Sequence, residues 1–208
     1  MAIEISMAAS RSWNKDYLLE LGENRPELLL FYGHRVTKTV TETCLSQWYP
    51  CQFEVDGVIY TSAEQYMMAE KAKLFGDEEI RDEILSTDDP RKCKALGRKV
   101  KNFDEAVWDK EKEFIVLKGN TKKFLQNDAL RNFLLSTGSK VLVEASPTDR
   151  VWGIGLGKNN PDALDPKKWR GKNLLGFALM DVREMIVFRN IFRELNGATD
   201  SEGAAETK

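Results

Sequence analysis

Two charged residues stand where a water-facing helix has least use for them. Projected at about 100° per residue, Ser62–Phe75 gathers Met67, Met68, Ala72, Leu74 and Phe75 into one stripe that must face the core, and Glu64 and Lys71 fall in its middle. Glu70 and Lys73 fall on the opposite, solvated face, so solubility does not require the other two. Opposite charges on a core-facing stripe are costly unless they pair, snorkel or line a cavity. Seven residues of helical rise set the two α-carbons about 10 Å apart, too far for a tight pair and suited to reaching one small ligand from two sides. A lysine desolvated in an apolar pocket is a neutral nucleophile. The blander reading has Lys71 snorkelling to the rim and Glu64 serving the helix N-terminus, where the dipole favours a carboxylate.

Other chemistries are disfavoured. His34 is the only histidine, which argues against a Ser-His-Asp arrangement or a His-rich metal centre, and no cofactor or metal is expected. Cys44, Cys51 and Cys93 are odd in number and lack CxxC spacing, so they are read as reduced thiols. With 31 basic and 33 acidic side chains the net charge is −2, which gives no global pull toward nucleic acid or anionic lipid. Stable duplex DNA binding is therefore not expected. No apolar run is long enough to span a bilayer and no signal-peptide core is present, so the expectation is a soluble protein of the cytoplasm or nucleus.

The elements that must position these groups are marked by local signals. At 208 residues the chain suits one sizeable core. Trp13–Leu21 could form a short outer helix, and Leu28–Tyr32 has strand length. Gln52–Tyr60 holds Asp56-Gly57 between alternating segments, a hairpin signal. Ser62 with Gln65 makes a capping box. Further helices are expected at Glu78–Leu85, at Pro90–Lys99 with Asp89 as cap, at Asp104–Leu125, and after Asp128. Lys140–Glu144 reads as a strand, Ser146–Gly171 as a long loop, and Lys172–Leu195 as a closing amphipathic helix. Few strands among many helices, without βαβ alternation, predict an α+β fold: a mainly helical single domain with a small β-sheet. The expected division is an extension at 1–27, the domain at 28–195 and a disordered tail at 196–208.

Ser62-Ala-Glu-Gln-Tyr-Met-Met-Ala-Glu-Lys-Ala-Lys-Leu-Phe75 follows Leu45-Ser-Gln-Trp-Tyr-Pro50. It precedes Leu142-Val-Glu-Ala-Ser146, Asp149, Trp152-Gly-Ile-Gly-Leu-Gly157 and Gly171-Lys-Asn-Leu-Leu-Gly176. These motifs, in this order from about Phe31 to Ile186, resemble the NADAR (YbiA-like) family. The resemblance implies an N-glycosidase: some members cleave ribosylamino-pyrimidine intermediates of riboflavin synthesis, and others remove ADP-ribose from guanine bases. Glu64-Gln65 stands where the riboflavin-type proteins usually read Glu-His, and Gln47–Cys51 departs from their Asn-Phe-Ser-Pro type. Both departures favour the ADP-ribose-directed group.

Cleavage of an N-glycosidic bond builds positive charge at the sugar carbon and needs an acid for the departing nitrogen. On the resemblance, Lys71 would form a Schiff base with ribose C1. Glu64 would orient the ribose hydroxyls or stabilise the cationic transition state. Glu144 and Asp149 are candidate proton donors, with a loop cap and an Asx turn as their plain alternatives. Trp48, Gln65, Met68 and Ser146 are candidate substrate contacts. Trp152 could stack on a base or simply pack in the core. Gly153 and Gly155 allow close approach to a phosphate, Asn173 with Lys172 could hold one at a helix start, and Arg98 could clamp one or be merely solvated. The expected substrate is ADP-ribosylated guanine in DNA or a nucleotide. The alternatives are a phosphoribosylamino-pyrimidine and, in another class, a non-catalytic ADP-ribose or NAD-binding module.

Overall fold

The computed structural model describes residues 13–196. The expected weakly patterned start, Met1–Ser12, and most of the expected tail, Gly197–Lys208, lie outside the described residues. The chain forms α1 (Lys15–Leu21), β1 (Leu28–Phe31), β2 (Phe53–Val55), β3 (Val58–Tyr60), α2 (Ala63–Leu74), α3 (Glu78–Leu85), α4 (Pro90–Gly97), α5 (Glu105–Gln126), α6 (Asp128–Ser136), β4 (Val141–Glu144) and α7 (Leu174–Leu195). This is an α+β domain dominated by helices. No helix among the described residues is long and apolar enough to cross a membrane.

Local chemistry sets most boundaries. Asn14, Ser62, Asp77, Asp89 and Asp104 each accept a backbone N–H from the first turn of the helix they precede. Ser62 Oγ accepts from Gln65 N, but the Gln65 side chain does not return to Ser62, so the expected capping box is only half made. Asp56 (φ 52°) and Gly57 (φ 82°) both sit in the left-handed region, the signature of a type I′ turn, and join β2 to β3 with Phe53 opposite Tyr60.

The sheet is not one unit. β2 and β3 form an antiparallel hairpin, whereas β1 pairs in parallel with β4, Leu28 against Val141 through Phe31 against Glu144. That parallel ladder places the ends of two distant segments side by side.

Helix α2 is the axis of the molecule. Every residue from Ser62 to Ala69 is buried, because the hairpin, α3, α4 and α5 enclose it. The stripe expected from sequence is therefore a full circumference at this end, and Leu74, placed on that stripe, is exposed at the other. Tyr66 stands edge-on to Tyr60 at 5.1 Å and to Phe53 at 6.1 Å. Gly119 lets α5 cross here, since a Cβ at that position would lie 2.3 Å from the Tyr66 ring.

Candidate active site

The start of α2 is tied to the segment before the hairpin. Glu64 N donates to Gln47 O at 2.9 Å, Asn120 Nδ2 to Gln47 Oε1 at 2.8 Å, and the buried Lys123 Nζ to Ser46 O at 2.9 Å. These bonds fix the loop that carries Trp48, beside the end of β1 with Tyr32, Gly33 and His34. Opposite lie the end of β4, with Glu144 and Ser146, and one face of α4.

Two adjoining cavities result. A cleft of about 740 Å³ is bounded by Tyr32, His34, Trp48, Ser146, Glu144 and Asp149, and by the cations Arg91, Lys94, Arg98 and Arg150. A smaller chamber of about 280 Å³ holds Glu64, Met68, Lys71, Phe103, Trp108 and Trp152. Lys94, Arg98, Asp149 and Val151 border both.

Lys71 has no carboxylate partner among the described residues. Its Nζ donates to Gly97 O at 2.8 Å and sits 4.1 Å above the Phe103 ring and 5.6 Å from the Trp108 ring. Desolvation holds its pKa below the ordinary lysine range. Met68 packs on Gly97, where a Cβ would come within 2.1 Å of its sulfur, so the chamber wall depends on a bare backbone.

The carboxyls are forced toward their neutral forms. Burial drives Glu64 up to about 7, opposed by Lys94 and by a hydrogen bond from Trp48, and reinforced by Asp149. Burial drives Glu144 up to about 8, reinforced by Asp149 and Glu64 and opposed by Lys94. Glu64 Oε1 and Glu144 Oε2 are buried without a hydrogen-bond partner, an expensive arrangement unless a ligand completes it. Asp149 differs from both. Its Oδ1 accepts from Val151 N and Trp152 N, an Asx turn, while Oδ2 lies 3.7 Å from Lys94 Nζ. It is a charged partner and a loop anchor together. Ser146 Oγ accepts from Asp149 N and holds that anchor in place.

The structure therefore gathers Lys71, Glu64, Glu144, Asp149, Trp48, Met68, Arg98, Ser146 and Trp152 around two adjoining cavities. Four expected contacts stand elsewhere. Gln65 is buried and spent: Oε1 accepts from Thr61 N and Oγ1, and Nε2 donates to Ile84 O and Thr87 O. Asn173, fully buried with φ 57°, accepts from Glu144 N and donates to Leu142 O. Its amide locks α7 onto β4 and borders neither cavity. Gly153 and Gly155 border neither cavity. The backbone there is stitched inward, Ile154 N to Glu144 O, Gly155 N to Asp149 O and Arg170 N to Ile154 O, and a Cβ on Gly153 would lie 2.9 Å from Glu144 O. Close packing requires Gly153, and a left-handed backbone at φ 68° requires Gly155.

Sequence reasoning passed over Arg91, Lys94, Arg150, Tyr32, His34, Phe103 and Trp108. A signal existed for the first two: Arg91, Lys94 and Arg98 follow i, i+3, i+7 spacing on one face of α4. His34 stands 5.5 Å from the Trp48 ring on the cleft wall. Cys44 and Cys93 are buried free thiols, and Cys51 is half-buried.

Comparison with known proteins gives this geometry a class. The chain is 49% identical over 144 residues to N-glycosidase R617 of Acanthamoeba polyphaga mimivirus, covering 67% of this chain and 85% of that protein. It is 33% identical over 133 residues to N-glycosidase YbiA of Escherichia coli K12, covering 64% and 74%. The NMR structure of E. coli YbiA matches with a TM-score of 0.64 at 26% identity, over 88% of this chain and 93% of that one. Fold and relatives place the chain among hydrolases that act on N-glycosyl bonds. The NADAR domain matches residues 30–187, and the chain belongs to the NADAR family.

Proposed function

We propose that this enzyme releases ADP-ribose from guanine bases of DNA or nucleotides by way of a Schiff base on Lys71. The observation that carries the reading is the joined pair of cavities. A cleft with four cations and aromatic walls suits a diphosphate arm with its adenosine, whereas a single phosphate would need far less space and charge. The adjoining chamber supplies a desolvated amine beside a carboxyl that is half protonated near pH 7.

In this mechanism neutral Lys71 Nζ attacks ribose C1 as protonated Glu144 gives its proton to the departing guanine nitrogen, which leaves as the restored guanine of the DNA or nucleotide. The ring oxygen then departs from C1 and takes a proton from Nζ, giving the protonated imine and a ring-opened hydroxyl. Water, deprotonated by the Glu144 carboxylate, adds to the imine carbon, and collapse of the adduct returns Lys71 and releases ADP-ribose. Glu64 faces the cationic carbon, and Asp149 with Lys94 sets the field around both glutamates. Trp48 and His34 form the stacking wall, and Arg91, Lys94 and Arg98 hold phosphate.

The test uses guanine-ADP-ribosylated single-stranded DNA, borohydride and intact mass. Release of ADP-ribose with an adduct absent from Lys71→Ala supports the reading. Release without any adduct overturns the Schiff base. Absence of both overturns the substrate, and turnover of a phosphoribosylamino-pyrimidine by the same preparation would replace it.

A further inference from the structure

We propose that the outer face of the last three turns of α7 is an isologous dimer interface, docked on the same face of a second copy of this chain. As far as Ile186 the helix keeps its core-facing side chains buried. Beyond that point its outer face is apolar without a cover. Met185, Val187, Phe188, Ile191, Phe192 and Leu195 are between 42% and 72% exposed. Phe188, Ile191 and Leu195 recur at three and four residues, the spacing of a seam that receives another helix. Beside this seam runs an apolar groove of about 1000 Å³ whose other wall includes Trp13, Pro26, Leu117 and Leu135.

Area and charge select the occupant. At ordinary side-chain sizes the six exposed residues present roughly 600 Å² of apolar surface, at the upper end of what a monomer usually leaves in one patch. Two copies joined face to face would remove about 1,200 Å² from water before any rim is counted, the lower bound of a specific interface. Charges of both signs flank the seam, Asp181, Arg183 and Glu184 at its start and Arg189, Arg193 and Glu194 toward its finish, so the start is net acidic and the finish net basic by one charge each. A two-fold axis across the seam sets the acidic end of one helix near the basic end of the other, whereas a strongly acidic or basic partner would meet repulsion at one end.

The face is also separate from catalysis. Its groove shares no lining residue with the cleft or the chamber. The NADAR domain match spans 30–187, so Phe188, Ile191, Phe192 and Leu195 on one side, and Trp13 and Pro26 on the other, belong to segments that flank it. The interface therefore lies largely outside the family's matched domain.

The test is light scattering coupled to gel filtration on the full chain, the double variant Phe188→Asp/Phe192→Asp, and the double variant Ile3→Asp/Ile5→Asp. A wild-type dimer that becomes a monomer only in the first variant, with helicity and N-glycosidase turnover kept, supports the proposal. Ile191→Cys, linking two copies by a disulfide under mild oxidation, gives the same answer if the first variant does not fold. A monomeric wild type at micromolar concentration overturns it. In that case a hydrophobic dye that binds only the Ile3→Asp/Ile5→Asp protein would show the chain's own first residues to be the occupant. A dimer that persists in the Phe188→Asp/Phe192→Asp variant also overturns it.

Discussion

Replacing Glu64 by glutamine should make the protein more stable in alkali while leaving its stability in acid nearly unchanged. Glu64 is fully enclosed, with one carboxyl oxygen unpartnered, and burial moves its pKa from 4.5 to about 7. Between those values the folded chain keeps a proton that the unfolded chain has released. Wild-type stability therefore falls as pH rises through this window and levels off above it, with the difference amounting to about 3 kcal/mol. Glutamine has nearly the same shape and no proton to lose. The stability of Glu64→Gln minus that of wild type should thus be near zero at pH 4 and reach about 3 kcal/mol by pH 9, or roughly 6–12 °C in melting temperature for a chain of this size. Urea titrations of both proteins at pH 4, 7 and 9 measure it. Glu144→Gln should begin to gain in the same range but continue to about pH 8 and end higher, and the double variant should gain less than the sum, because the Glu64 carboxylate raises Glu144. A difference that is constant with pH, or that favours wild type in alkali, would refute the claim that these carboxyls are held neutral by burial.

Three further outcomes follow from the same geometry. Asn173→Ala removes both bonds between the start of α7 and β4 and strands Glu144 N and Leu142 O in the interior, so denaturant unfolding should show a loss of about 2–4 kcal/mol. Gly176→Ala places a Cβ 2.1 Å from Leu142 O, and calorimetry should record a loss of about 2–3 kcal/mol from the forced shift of α7. Lys94→Met removes the cation that draws both glutamates down, so the alkaline limb of the rate against pH should move to higher pH, and KM for a diphosphate substrate should rise roughly tenfold or more.

What sequence revealed was mostly what neighbours along the chain decide. Asp89 before Pro90, Asp104 before Glu105 and Asp56-Gly57 are settled within four residues, and each does in the fold what its type suggests. Glu64 and Lys71 stood out because a periodic pattern makes a misplaced charge visible. Gln65 and Asn173 were no less visible, yet whether a buried amide faces a cavity or a strand depends on contacts 19 to 31 residues away. The parallel pairing of β1 with β4 has no local signal at all. The basic face of α4 was readable as a face, but a solvated helix carries the same pattern, and only the opposing wall of Trp48 and Glu144 makes it part of a site.

That parallel ladder also sets the order in which the two halves of the site are assembled. Phe31 and Glu144 are partners across most of the chain, and closing so long a connection is slow and entropically opposed until the intervening helices have packed. Lys71 leaves water earlier, when Phe103, Trp108 and the end of α4 pack around it. Glu144, at the end of the ladder, reaches its buried place last. The order of assembly thus delays the cost of burying that carboxyl until the packed helices can offset it.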